Sequence, residues 1–411
     1  MSDSSNPPPT PPRDTRRLRT WSLAAVLSVI LILGWAAFLT IAPPPEFAPV
    51  EAPSVAAAPP PSNQLRVLAW RNAIDDAVLE GFTADTGIAV VIEGFDTTEQ
   101  LLALASGGGI TQDLVLVSGI GLKALIDQGA LQPVPKAQLT NIGGLDPALA
   151  ARAMTHDAGN THAVPLLWGT IGLAFNAAMI ADRLGPEAML DSWSVLFDPA
   201  QAAKLADCGV QVIDTPTAVF PTALKYLGLP PDSAKAEDTE AAARLLENIR
   251  PSVAKFSSRD VSENLAMGRV CLAMTTSGDA FQARDKARAA GLANDIRYVV
   301  PKEAAVVWFD FLAIPKGNAD TAHAVRLIDF LLRPGVAARL TNAKGFGNTV
   351  TGANLYVKPE IKTDAALLPD LATLPNVIDE TAPPPAAVGL RNRFWQLING
   401  PQDAAPKPAP N

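Results

Sequence analysis

Two aspartates are the first candidates for chemistry in this sequence. Asp310 lies between Phe309 and Phe311 in the apolar run AVVWFDFLAIP. A lone buried carboxylate is costly without a partner, so this placement favours a functional role. Asp279 lies in the segment SGDAFQARD, directly before a helical pattern. It can cap that helix, and it can also bind a ligand if one carboxylate oxygen stays free.

The sequence offers little for catalysis. It contains no G-x-S-x-G segment, no phosphate-binding loop and no dinucleotide-binding glycine motif after the first predicted strand. Two of its three histidines, His156 and His162, lie in the polar stretch THDAGNTH, which predicts a solvated loop. Neither an enzyme, a metal site nor a cofactor is therefore expected. The net charge of −8 argues against a nucleic-acid partner.

The only two cysteines are Cys208 and Cys271. Each precedes a Val/Leu/Ile run that predicts a buried strand, so the two thiols could pair across neighbouring strands. Such a disulfide requires an oxidising compartment.

The N-terminal region indicates export. Residues 21–42 form an uncharged apolar run of 22 residues, long enough to cross a bilayer core of roughly 30 Å. Four arginines precede the run, and no basic residue follows it until Arg66. This asymmetry predicts a cytoplasmic N-terminus, an inner-membrane anchor and a periplasmic remainder. A cleaved signal peptide is the alternative interpretation.

The remaining organisation follows from composition and periodicity. The Pro/Ala-rich segment 43–64 is predicted to be an extended linker, with disordered tails at 1–20 and 401–411. Between them, strand and helix patterns alternate: strands at 65–70, 88–94 and 112–118, and helices at 75–87 and 97–106. About 340 residues exceed one comfortable core, which predicts two α/β lobes with mostly parallel sheets flanked by helices.

The chain resembles the periplasmic polyamine-binding proteins of ABC importers, the putrescine and spermidine type of the class II solute-binding proteins. The most specific segments are Val164–Asn176, Asp191–Ala283, Pro301–Pro315, Phe330–Asn342 and Leu390–Pro401. The resemblance implies a hinged, two-lobed receptor. Lobe 1 would comprise 65–165 plus 300–344, and lobe 2 would comprise 166–299 plus 345–400. It also implies a Cys208–Cys271 disulfide within lobe 2.

The resemblance implies a ligand site at specific positions. The pocket tryptophan after the first strand matches Trp70, and the serine after the third strand matches Ser118. The two aspartates that meet ammonium groups in the family match Asp279 and Asp310. Carboxylates for the ligand's ends and aromatic faces for its methylenes and its charge suit a polyamine.

Other positions depart from the family pattern. A hydroxyl residue of the family is Arg71 here, a pocket acid is Ala218, a pocket tryptophan is Thr276, and a tyrosine is Phe346. Arg71 has three interpretations: it projects into solvent, it pairs with a pocket aspartate, or it binds a ligand carboxylate. The third would make the ligand a zwitterionic amine.

Two functions remain open at this point. One is an extracytoplasmic receptor that captures a putrescine-like polyamine and delivers it to ABC permease subunits. The other is a ligand sensor or partner-binding module with a diverged pocket. The retained Asp279 and Asp310 favour transport, whereas the lost acids and aromatics favour the sensor. The family pattern predicts a monomer.

Overall fold

The computed structural model describes residues 63–71, 73–95, 97–318, 321–374 and 376–400. The predicted anchor at 21–42, the predicted linker up to residue 62 and both tails lie outside these residues. None of the helices in the described ranges is long and apolar enough to cross a membrane.

The early elements follow the sequence patterns closely. The predicted strands appear as β1 (Gln64–Trp70), β2 (Ala89–Phe95) and β3 (Leu114–Ser118), and the predicted helices as α1 (Asp76–Thr86) and α2 (Thr98–Ser106). Helix α1 ends at Gly87, whose φ of 73° is the left-handed conformation that glycine tolerates. Helix α2 begins at Thr97, whose Oγ1 accepts a hydrogen bond from the backbone N–H of Gln100 at 3.2 Å.

The remaining elements complete one mixed sheet with helices around it. The later strands are β4 (Leu131–Gln132), β5 (Ala163–Asn176), β6 (Val210–Val212), β7 (Lys255–Phe256), β8 (Leu272–Thr276), β9 (Ile296–Val299), β10 (Ala305–Pro315), β11 (Gly347–Asn348) and β12 (Val377–Asp379). The later helices are α3 (Gly119–Asp127), α4 (Pro147–Ala153), α5 (Ala177–Leu184), α6 (Ser194–Phe197), α7 (Pro199–Lys204), α8 (Pro216–Tyr226), α9 (Ala236–Ile249), α10 (Val261–Ala266), α11 (Ser277–Ala289), α12 (Thr321–Leu331), α13 (Pro334–Lys344), α14 (Pro359–Lys362) and α15 (Pro385–Asn399).

Two long antiparallel strands join the parallel groups of the sheet. The strand order is β2-β1-β3-β10-β5-β8-β6-β7. Pairing is parallel within β2-β1-β3 and within β8-β6-β7, whereas β10 and β5 are antiparallel to their neighbours in this order. Strand β12 pairs with β10 in parallel. Every residue of β5 and β10 is buried, as expected for central strands that read as continuous apolar runs.

The disulfide predicted from the resemblance is confirmed. Cys208 and Cys271 are bonded, with their Cα atoms 5.5 Å apart. Cys208 precedes β6 and Cys271 precedes β8, two strands that pair in parallel. The bond therefore links the amino ends of neighbouring strands.

Candidate functional site

The strand register creates a cleft at the centre of the sheet. Ser118, the last residue of β3, pairs with Asp310, and Asp310 pairs with Leu167 of β5. Thr276, the last residue of β8, pairs with Ile171 of the same strand. Strands β3 and β8 run in opposite directions, so their carboxyl ends face each other across residues 167–171. Four residues of strand span about 13 Å, which is the offset between the two strand ends along β5.

One side of this cleft, called the first lip, carries Trp70, Ser118 and Asp310. Trp70 ends β1, and its ring packs on Phe95 with the centroids 4.4 Å apart. Ser118 is the N-cap of α3, where its Oγ accepts from the N–H of Gly121 at 3.4 Å. Burial raises the pKa of Asp310 to about 7, the nearby Glu380 carboxylate adds to the rise, and a hydrogen bond with the Trp70 side chain lowers it. Three of the predicted site residues are thus brought together.

Asp279 lies at the opposite lip. Its Oδ2 accepts hydrogen bonds from the hydroxyls of Thr275 at 2.6 Å and Thr276 at 2.7 Å. Its Oδ1 accepts no hydrogen bond from the residues that the structure describes. One carboxylate oxygen is therefore held by the protein and the other is available to a donor.

Of the two roles considered for Asp279, capping of the following helix is excluded. Helix α11 begins at Ser277 and its N-cap is Thr276, whose Oγ1 accepts from the backbone N–H of Asp279 at 3.2 Å. Thr276 therefore caps the helix and also orients the Asp279 carboxylate. The helix thus starts earlier than the sequence pattern indicated, and Gly278 in its first turn lies against the ring of Phe346. A Cβ on Gly278 would lie 2.2 Å from that ring.

The floor of the cleft is aromatic. Trp308 pairs with Gly169, midway between the two lips, and a Cβ on Gly169 would lie 2.6 Å from the indole. Phe346 packs edge-on against Trp308 with the centroids 4.8 Å apart. The indole N–H of Trp308 is buried, and no described residue accepts a hydrogen bond from it. In the sequence this tryptophan has apolar neighbours on both sides, which indicates a core residue rather than a site residue.

Arg71 lies on the far side of β1 from Asp310. The residue is exposed, and its side chain lies over Gly94 of β2, with Cγ 2.9 Å from where a Cβ on Gly94 would be. Strand β2 is the outer strand of this half of the sheet, whereas Asp310 lies on β10, beyond β3. The Arg71 side chain thus lies on the side of β1 opposite to Asp310.

His156 corrects another prediction. It is only 4% exposed, although the polar sequence around it predicted a solvated loop. Its ring packs against Phe311 and fills the space beside Gly119, at the start of α3. Burial lowers the pKa of His156, and the Asp379 carboxylate opposes that shift. Its Nε2 has no hydrogen-bond partner among the described residues, so the neutral ring acts as a packing element between Phe311 and Gly119.

Sequence comparison identifies the family. The family model for the bacterial extracellular solute-binding protein matches residues 77–369. The chain belongs to this family. It is 34% identical over 334 residues to the putrescine-binding periplasmic protein SpuD of Pseudomonas aeruginosa, a match that covers 81% of this chain and 91% of SpuD. It is 32% identical over 335 residues to the putrescine-binding periplasmic protein PotF of Escherichia coli, covering 81% and 90%.

Structure comparison agrees with the sequence relatives. A putative spermidine/putrescine ABC transporter protein from Listeria monocytogenes superposes with a TM-score of 0.72 at 26% identity, covering 82% of this chain and 99% of that chain. The predicted resemblance to polyamine-binding proteins of ABC transporters and the α/β solute-binding fold are confirmed. The family is one of binding proteins, which agrees with the prediction that the chain is not an enzyme.

Proposed function

We propose that this protein is an extracytoplasmic receptor that binds a putrescine-like polyamine and delivers it to an ABC importer. The observation that carries the proposal is the pair of carboxylates on opposite lips of one cleft, Asp310 and Asp279, with an aromatic floor between them. Each end of a diamine needs an acceptor, and the methylenes between them need an apolar surface. The names of the sequence relatives support this ligand class.

The proposal also includes delivery to permease subunits, the lobe boundaries given above, the inner-membrane anchor and the monomeric state. The opposed strand ends support a hinge-closing receptor, because β5 and β10 are continuous strands that span the cleft. A ligand with two positive charges would draw both lips together, since it supplies a cation to the buried carboxylate of Asp310 and to the half-buried carboxylate of Asp279.

The first test is a melting-temperature shift with a panel of amines. Putrescine at about 100 times its dissociation constant should stabilise the purified protein by about 2.7 kcal/mol, which raises the melting temperature by a few degrees. Asp279→Asn should remove most of that shift, because one ammonium group loses its anionic acceptor. Exposed Asp285→Asn, on the same helix α11, is the matched control and should leave the shift intact. No shift with any amine would favour the sensor or partner-binding alternative.

Arg71 provides a second test, which concerns ligand class. Because its side chain lies over β2 and away from Asp310, Arg71→Ser should change the affinity for putrescine by less than about twofold, the range of ordinary surface substitutions. Titration calorimetry with putrescine and with γ-aminobutyrate measures both ligand types. Binding of the amino acid by the wild-type protein, lost in Arg71→Ser, would show instead that the site takes zwitterions.

A further inference from the structure

Glu380 is an acidic residue of the cleft that the sequence analysis did not single out. It directly follows β12, which pairs in parallel with β10 through Val306↔Ile378 and Val307↔Asp379. The N–H of Glu380 donates to the carbonyl of Val307 at 2.8 Å, three residues before Asp310. Strand β12 pairs with the same edge of β10 as β3 does, in the part of that edge that β3 does not reach. The residues at the end of β12 therefore lie at the cleft, beside Ser118 and Asp310.

The Glu380 side chain is held from the other side of the cleft. The hydroxyl of Thr217 donates to its Oε1 at 2.8 Å. Thr217 lies in the first turn of α8, next to Ala218, the position at which the sequence analysis found a pocket acid missing. The carboxylate of Glu380 therefore lies next to Ala218, the position at which this sequence lacks the pocket acid of the family.

The pair formed by Glu380 and Asp310 has no positive partner in the described part of the chain. Asp310 is 9% exposed, and burial raises the pKa of both carboxyl groups. Arg152 forms an ion pair with Asp379, the residue before Glu380, so that arginine is already neutralised. The groups that face the pair from the surrounding elements are the side chains of Trp70, Ser118, Leu167 and Thr217. Farther along, His156 interacts electrostatically with Asp379 and is neutral at pH 7, because burial lowers its pKa.

We infer that Glu380 and Asp310 together hold one ammonium group of the ligand, and that in the empty protein they share a proton which the ligand displaces. This inference rests on the proposed function, since it names the acceptors for one end of the amine. The Glu380 carboxylate adds to the rise in the pKa of Asp310, so ionising both groups is unfavourable and one proton is retained near neutral pH. The ammonium group of the ligand replaces the positive charge of the proton, which leaves to solvent. Apart from this O–H bond, no covalent bond of the ligand or the chain is broken or formed.

This arrangement makes the affinity depend on pH. Below about pH 7, each unit of pH should weaken putrescine binding by up to tenfold, because the ligand then competes with a bound proton. Above about pH 8 the affinity should become constant. Asp279, on the opposite lip, accepts hydrogen bonds from the hydroxyls of Thr275 and Thr276, and its backbone N–H donates to Thr276. Its charge also contributes to the raised pKa of Tyr298.

The experiment is calorimetric titration of the purified protein with putrescine at pH 6.5, in two buffers with different ionisation enthalpies. The wild-type protein should release close to one proton per ligand bound. Glu380→Gln should weaken binding 10- to 100-fold, since an ammonium loses one charged acceptor, and should clearly reduce the proton release. Exposed Glu240→Gln removes the same charge from a surface ion pair on α9 and should change neither quantity.

Two further measurements keep the outcome interpretable. The melting temperature of empty Glu380→Gln should equal or exceed that of the wild type at pH 8, because the substitution removes a repulsion with Asp310. If that variant fails to fold, Thr217→Val, which removes only the positioning hydroxyl, should weaken binding severalfold and alter the proton release. If the wild type binds putrescine and Glu380→Gln binds it with the same affinity and the same proton release, this inference is overturned and the proposed function is not. An absence of amine binding by the wild type overturns the proposed function.

Discussion

Asp310→Asn is expected to abolish putrescine binding at working concentrations while leaving the fold intact. Asparagine fits the same space but carries no charge, so a ligand ammonium enclosed in the cleft loses an anionic acceptor. Truncating one partner of a buried charge pair costs about 2–5 kcal/mol, which corresponds to a loss in affinity of roughly 30- to 4,000-fold. Titration calorimetry at pH 8 measures the effect, because Asp310 is then ionised in the wild type.

The pH dependence of stability provides an independent check on Asp310. Its pKa is raised on folding to about 7, so its carboxyl group favours the folded state at low pH. This contribution is complete below about pH 4 and is lost as the pH rises through about 7. The free energy of unfolding of the empty wild type should therefore decline over this range, and Asp310→Asn should flatten the decline.

The matched control is Asp127→Asn, at an exposed carboxylate paired with Lys123 on the surface of α3. It should change neither the affinity nor the pH profile, because exposed ion pairs contribute little. Wild-type affinity in Asp310→Asn would show that this carboxylate has no contact with the ligand.

Loss of the disulfide is the second large effect, and it concerns stability rather than binding. Cys208 and Cys271 are separated by 63 positions in the sequence. In the chain-entropy treatment, closing a loop of that length stabilises the folded state by about 4 kcal/mol. The double variant Cys208→Ala/Cys271→Ala should therefore unfold at clearly lower denaturant concentration, and its melting temperature should fall by several degrees.

The ligand site should tolerate this change. The disulfide lies at the amino ends of β6 and β8, whereas Thr276 and Asp279 lie at and beyond the carboxyl end of β8. Below its melting temperature, the double variant should bind putrescine within about twofold of the wild type, as expected for sites without shared contacts. Reductant should lower the stability of the wild type to that of the variant and leave the variant itself unchanged. Equal stability of the two oxidised proteins would refute a stabilising role for the bond.

Much of this molecule follows from local sequence patterns. Strand β1 and helix α1 could be predicted because apolar periodicity and caps such as Gly87 act over a few residues. Asp310 stood out since a carboxylate among phenylalanines is costly without a partner. The disulfide pairing needed family resemblance, because two cysteines 63 positions apart carry no local signal of contact.

The composition of the cleft was decided by tertiary structure. Glu380 lies 70 positions after Asp310 along the chain, and only the pairing of β12 with β10 brings their carboxylates together. Trp308 reads as core by itself, but its pairing with Gly169 places it midway between the two lips. The direction of the Arg71 side chain depends on the space above Gly94, a strand away. Sequence alone thus determined which residues are costly to bury, while strand register determined which of them share one cleft, because register joins residues that no local interaction relates.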